Sequence, residues 1–509
     1  MADVASSEPA APPVPKARPG TGRPESKAAG IYLYSRTAAS LLILVTLFLA
    51  ARVYSTAGFG YVQAVLLIYE TAISLGSLGL AEAVFYFVGR HPERASAIVR
   101  QTSGLLLAAS VPVIGAVAIA GYVMSGSAFD LIPALPWLML LVLFELPTQP
   151  VVNQLLAGGH AVAASVLFVG FAILRTAAAL APAVTGWSLD TVPIMMAIFG
   201  FGRVIAHVAV LRLYYPMPPG ERWLVPRELR AMLAFALPAG FAATAGKLNP
   251  QIDKYVVNLV IGASAFAVYS AASWELPLIT LIPFAIGAVM QVRYVRLFAS
   301  GEKQELRRMW EQNVQKTILL VVPLATLAIV VADDLIYFVL SGKYPDAAAP
   351  FRIFTILLFH RIAAYGPMLQ AIGKTRLLMV TSGLMVMTNL ILTVPMTYLL
   401  GSNGAAIATV LSALPPWSVS LYFIGKAWGR GVRDALPWRF YLAVLALAAG
   451  VGVAIWFGVG SLHLDRGARL AVGSLAYLGL YAGLGRLVGL IQADDLAFLR
   501  RWLSFGLVK

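Results

Sequence analysis

The run Leu33-Tyr34-Ser35-Arg36-Thr37-Ala38-Ala39-Ser40-Leu41-Leu42-Ile43-Leu44-Val45-Thr46-Leu47-Phe48-Leu49-Ala50-Ala51-Arg52 holds a single charge, Arg36, before it closes on Arg52. A hydrocarbon core about 30 Å thick is crossed by about 20 helical residues rising 1.5 Å each. The run therefore reads as a membrane span. Runs of the same kind recur at 61–88, 102–124, 131–150, 161–184, 191–213, 230–259, 265–291, 314–334, 350–371, 376–400, 403–427, 438–459 and 468–490. The expected fold is an all-α polytopic membrane protein of about 14 transmembrane helices. Composition agrees: the 509 residues are 60% hydrophobic and 12% charged, whereas soluble domains run near half apolar and a quarter charged.

The loops set the topology. Cations gather in alternate connections: Arg90, Arg94 and Arg100; Arg212, Arg222, Arg227 and Arg230; Arg293 to Lys316; Lys374 and Arg376; Lys426 to Arg439. The intervening connections carry Asp130, Asp190, Asp333, Asp334, Asp346 and Asp465, with few cations beyond Arg52, Lys343, Arg466 and Arg469. Positive charge marks the cytoplasmic side, so both termini are expected inside. The net charge of +15 is topological on this reading and implies no nucleic-acid partner. The absence of cysteine excludes disulfides and thiolate chemistry.

Residues 1–30 are rich in proline, alanine and serine and read as a disordered cytoplasmic tail without a signal peptide's apolar segment. Gly58-Phe59-Gly60-Tyr61 and Ala265-Phe266-Ala267-Val268-Tyr269 lie about 207 positions apart, and Gln154–His160 and Leu369–Lys374 about 214. Two pseudo-symmetric six-helix lobes follow, at 31–215 and 230–428, joined by a linker at 216–229. A helix pair at 429–490 and a cytoplasmic tail at 491–509 complete the chain.

Arg52-Val53-Tyr54-Ser55-Thr56-Ala57-Gly58-Phe59-Gly60-Tyr61, Leu75–Leu80, Gly262–Ala272, Leu340–Ala349 and Gly404–Thr409, in this order, resemble landmarks of the bacterial polysaccharide and O-antigen flippases. These form the polysaccharide transporter branch of the multidrug/oligosaccharidyl-lipid/polysaccharide exporter superfamily. The resemblance implies a non-enzymatic flippase of the bacterial inner membrane. It would translocate a polyprenyl-diphosphate-linked oligosaccharide for exopolysaccharide, capsule or O-antigen synthesis, with a polymerase and export machinery as partners. No cofactor or catalytic residue is implied.

Site residues come from the charges themselves. Arg175, Arg203, Lys247, Lys254 and Arg361 fall inside expected spans, where a lipid-facing cation costs about 2.5–3.5 kcal/mol. They must face protein or water. Glu70, Asp253 and Glu275 are the anions counted at comparable depth, which leaves cations over for an anionic ligand. Lys247 and Lys254 stand seven apart, on one helical face. Arg36 is placed to meet a diphosphate at the cytoplasmic end. Glu70, Asp253, Glu275 and His360 are candidates for ion or proton coupling, or for pairing, such as Lys254 with Glu275. A hydrogen-bonded core role competes for His207 and His360. Asn249-Pro250-Gln251 is expected to interrupt its helix. No metal-ligand cluster or hydrolase motif appears, and Gly366 lies too far before Gly373-Lys374-Thr375 for a phosphate loop.

Two other functions compete. A cation-coupled multidrug antiporter of the same superfamily needs unpaired carboxylates in its cavity. A membrane glycan polymerase or ligase needs catalytic side chains on a substantial external loop.

Overall fold

The computed structural model describes residues 24–125, 130–274, 276–429, 431–462, 464–492 and 495. Most of the two expected tails, and Glu275, lie outside the described residues. The helices are α1 (Pro24–Val53), α2 (Thr56–Gly76), α3 (Leu80–Arg90), α4 (Ala95–Ser125), α5 (Leu135–Thr148), α6 (Val151–Ala157), α7 (Ala161–Thr185), α8 (Thr191–Tyr214), α9 (Pro226–Val260), α10 (Ala263–Ala272), α11 (Pro277–Ala299), α12 (Lys303–Val330), α13 (Ala332–Val339), α14 (Ala348–Ile356), α15 (Tyr365–Ala371), α16 (Arg376–Ser412), α17 (Leu414–Ala427), α18 (Trp438–Gly460) and α19 (Arg466–Leu487). The protein is an all-α, multi-pass membrane protein: among the described residues, ten helical stretches are long and apolar enough to cross a bilayer.

The count of fourteen is not reached by length and apolarity alone, and the reasons are local. The stretch 376–427 is continuous at 52 residues, because the two spans expected there meet at Gly401 (φ 61°, ψ −143°) without a loop. The spans expected at 265–291 and 350–371 are each broken in two, between α10 and α11 and between α14 and α15. α9 carries Lys247, Asn249, Pro250, Gln251, Asp253 and Lys254 in one stretch. Against expectation, it runs as helix through Pro250 from Pro226 to Val260. Proline leaves a carbonyl one turn back without its donor. Nearby, the Asn389 side chain donates to the Asn249 carbonyl at 2.9 Å and to its Oδ1 at 3.1 Å, a buried polar clasp that joins α9 to α16.

The expected span 61–88 breaks as well. Leu78 (φ 48°) and Gly79 (φ 70°) both take the left-handed region, which costs a non-glycine residue about 1–2 kcal/mol. The break is a place where α9 comes in close. A Cβ on Gly79 would lie 2.6 Å from both the Ala236 carbonyl oxygen and Gly240 Cα. Thr244 Oγ1 donates to the Ser74 carbonyl at 3.0 Å, and Tyr86 stacks on Phe235 with ring centroids 4.4 Å apart. Gly79→Val is expected to lower stability by about 1–3 kcal/mol by overpacking and through its positive φ. Thermal unfolding in detergent measures this, and an unchanged midpoint would contradict the tight α3–α9 contact.

One buried apolar cluster runs through α1–α8 and continues into α9, α10, the end of α12, α13, α14 and α16. A second gathers α11, α12, α15, α17, α18 and α19. The junction between amino-terminal and carboxy-terminal helices is therefore partly apolar core and partly a cavity.

Candidate functional site

The cavity has a volume of about 260 Å³ and is walled by α1, α2, α7 and α9, with Trp274 beyond α10. Helical spacing explains which side chains reach it. Gln63, Leu66, Leu67 and Glu70 recur on one face of α2, as Ser40, Ile43, Leu44 and Leu47 do on α1. Gln251 and Lys254, three apart, present the same side of α9.

Its polar groups form a chain across the junction. Arg175 Nη2 donates to Glu70 Oε1 at 2.6 Å, and Gln251 Nε2 donates to Glu70 Oε2 at 3.3 Å. The guanidinium lies over the Tyr69 ring, 5.1 Å from its centroid. The hydroxyls of Thr46 and Thr176 meet at 2.6 Å. Lys254 has no carboxylate at ion-pair distance among the described residues. Its neighbour Asp253 is fully buried and turns away from the cavity, accepting from Tyr269 Oη at 2.6 Å, Thr409 Oγ1 at 3.0 Å and the Lys254 amide at 2.9 Å. The Trp274 indole N–H and Gln251 Oε1 are buried without a hydrogen-bond partner among the described residues. Buried polar groups are usually satisfied, so this wall has donor and acceptor capacity to spare.

Exposure separates two arginines that the sequence ranked together. The Arg175 and Glu70 side chains are 23% and 40% exposed and both line the cavity, so a ligand there can reach the pair and exchange with it. Arg203 and Glu145 are 12% and 4% exposed. They form an ion pair between α8 and α5, with Arg203 lying over Phe171 and Phe199 at 4.7 and 6.0 Å. Arg203 does not line the cavity. The expected count of anions omitted Glu145, and its inclusion reduces the surplus of cations.

The other candidates are scattered. Lys247 and Arg36 are exposed and are not cavity-lining, so the shared face expected of Lys247 and Lys254 delivers only Lys254. Arg361 is half-buried in the non-helical link before α15. His360 uses Nδ1 on the Leu357 carbonyl and packs edge-on to Trp417 at 6.2 Å. His207 is buried, with Nε2 3.1 Å from Ser103 Oγ. Both histidines make core contacts. Sequence reasoning missed Glu145 and Trp274; the first is a carboxylate inside an expected span and was there to be counted.

At the cation-poor end the two groups of helices are tied together. Arg52, at the end of α1, donates to the last carbonyls of α13, at Val339 (3.1 Å) and Phe338. Lys343, after α13, donates to the carbonyls at the end of α1, at Arg52 and at Tyr54 (3.0 Å). Each helix C-terminus is thus capped by a cation from the other group, where unpaired carbonyls favour one. Phe59 and Tyr344 pack edge-on beneath at 5.4 Å.

The fold resembles lipid II flippase MurJ in an inward closed conformation, with a TM-score of 0.68 at 13% identity over 90% of this chain and 99% of that one. An inward-facing multidrug resistance transporter of the MATE family, in the MOP superfamily, aligns with a TM-score of 0.56 at 14% identity over 75% of this chain and 92% of its own. A MOP superfamily transporter from Pyrococcus furiosus, described as having a binding pocket of reverse polarity, aligns at 0.52 with 15% identity, over 78% and 92%. No curated protein matches in sequence. Residues 26–294, more than half the chain, match the family described as polysaccharide biosynthesis protein, and the chain belongs to that family.

Proposed function

We propose that this protein is a flippase of the bacterial inner membrane that carries a polyprenyl-diphosphate-linked oligosaccharide from the inner to the outer leaflet. The observation that carries the reading is the cavity holding Arg175 and Lys254 on opposite sides of the helix junction. A planar guanidinium grips phosphate oxygens in two places and an ammonium adds a point charge. Hydroxyls and amides from α1, α2, α7 and α9 suit sugars, while the polyprenyl chain stays in lipid.

In this reading the halves 31–215 and 230–428 alternate between inward- and outward-open states, and no covalent bond changes. An inside-negative potential favours outward movement of the anionic headgroup by about 2.3 kcal/mol per charge per 100 mV. Asp253, buried and held only by uncharged donors, is the carboxylate best placed for ion coupling. The product would pass to a polymerase and export machinery. The cavity's charges also argue against export of organic cations: its lining carboxylate, Glu70, already has Arg175.

Reconstitution tests this. In sealed vesicles, wild-type protein is expected to make a labelled polyprenyl-diphosphate sugar accessible in the opposite leaflet. Arg175→Ala and Lys254→Ala should each slow that transfer at least about tenfold, the loss expected for one charge-assisted hydrogen bond, with melting unchanged. Full rates in both variants would overturn the cavity assignment.

A further inference from the structure

We propose that the Glu70 carboxylate is a built-in stand-in for the substrate's phosphate: it occupies the anion seat when the cavity is empty and must be displaced when a ligand arrives. The inference rests on the flippase reading and adds a competitor to it.

The geometry is that of a bound anion. Glu70 spends one oxygen on Arg175 from α7 and the other on Gln251 from α9, so one carboxylate is held by donors from both sides of the junction. A phosphate group bridging the same helices would use the same donors. Glu70 sits on α2, lines the cavity and keeps its side chain 40% exposed, so it has room to swing away from Arg175. Lys254, on the same face of α9 as Gln251, has no carboxylate at ion-pair distance among the described residues and would contact a ligand first. Arg175 is braced by the Tyr69 ring, so its position does not depend on Glu70 alone.

The arrangement has a use. A transporter that binds a dianionic headgroup too tightly cannot release it, and an internal anion competing for one arginine lowers affinity in both directions equally. When the headgroup leaves, Glu70 returns to Arg175 and Gln251, and the empty cavity keeps its charges matched across the junction.

The alternative is that Glu70 merely orients Arg175, and the two roles predict opposite signs. The probe is farnesyl diphosphate, with farnesol as control, titrated into the detergent-solubilised full chain. If Glu70 competes, Glu70→Gln and Glu70→Ala tighten diphosphate binding by about tenfold or more, the worth of a charge-assisted hydrogen bond. Farnesol binding stays as it was, and adding Arg175→Ala removes the gain. Unchanged or weaker binding in both Glu70 variants, with wild type still binding and Arg175→Ala still defective, overturns the stand-in and leaves the flippase reading intact. Wild-type protein that does not distinguish farnesyl diphosphate from farnesol overturns the anion seat and the proposed function with it. The Glu70→Ala arm guards against a new contact made by the glutamine amide.

Discussion

Glu145→Ala is expected to destabilise the protein by about 3–5 kcal/mol, the cost of stranding a buried charge. It strands Arg203, whose only described carboxylate partner is Glu145. Removing both charges is a different experiment. Replacing a buried pair by apolar residues of similar volume is often neutral or better, and this pair leaves Glu145 Oε2 and Arg203 Nε without partners among the described residues. The double variant Glu145→Leu/Arg203→Met, packed against Phe171 and Phe199, should therefore recover most of the loss. Thermal unfolding of the singles and the double in detergent gives the coupling directly. The double should also flip lipid at near the wild-type rate. A stable double variant that no longer flips would return Arg203 to the substrate path, where the sequence had put it.

That arginine shows where sequence reading stops. Hydropathy and loop charge gave the membrane class and the helical fold because both are properties of continuous stretches. The same argument said that Arg175, Arg203 and Lys254 cannot face lipid, which holds for a cavity and for an ion pair alike. Deciding between them requires knowing which helices meet, and α5 meets α8 through the pair Glu145–Arg203 while α7 meets α2 through Arg175–Glu70.

Helical periodicity has a similar limit. Lys247 and Lys254 do share a face of α9 by spacing, but the helix is 35 residues long and its neighbours change along it: its early turns pack on α3 at Gly79, its middle on the cavity. The breaks at Leu78–Gly79 and between α14 and α15 were hidden for another reason. Apolar composition continues through Leu78–Gly79, where only the backbone angles interrupt the helix, and between α14 and α15 the polar pair His360-Arg361 sits inside an otherwise apolar run.

Bridging Arg52→Cys to Lys343→Cys with a short bis-methanethiosulfonate, which joins the two thiols through disulfides, is expected to abolish flipping, and a dithiol reductant that cleaves those disulfides to restore it. The chain has no cysteine of its own, so the engineered pair is the only target. The physical basis is the reciprocal capping at the cation-poor end. On the proposed alternating-access cycle, an outward-open state would part α1 from α13 and break the bonds from Arg52 to Val339 and Phe338 and those from Lys343 to Arg52 and Tyr54. Each cation at a helix C-terminus is worth about 0.3–1 kcal/mol where exposed, so in that cycle the clasp would bias the closed state without locking it. The unbridged variant lacks both cations and should populate the open state more, by roughly three- to thirtyfold. A third cysteine in place of Thr176, which lines the cavity, reports this: with positions 52 and 343 changed to alanine instead, an impermeant maleimide added from the cation-poor side should label it faster than in the otherwise wild-type chain. Full flipping with the bridge in place would mean that this end does not open, and alternating access around the cavity would fall with it.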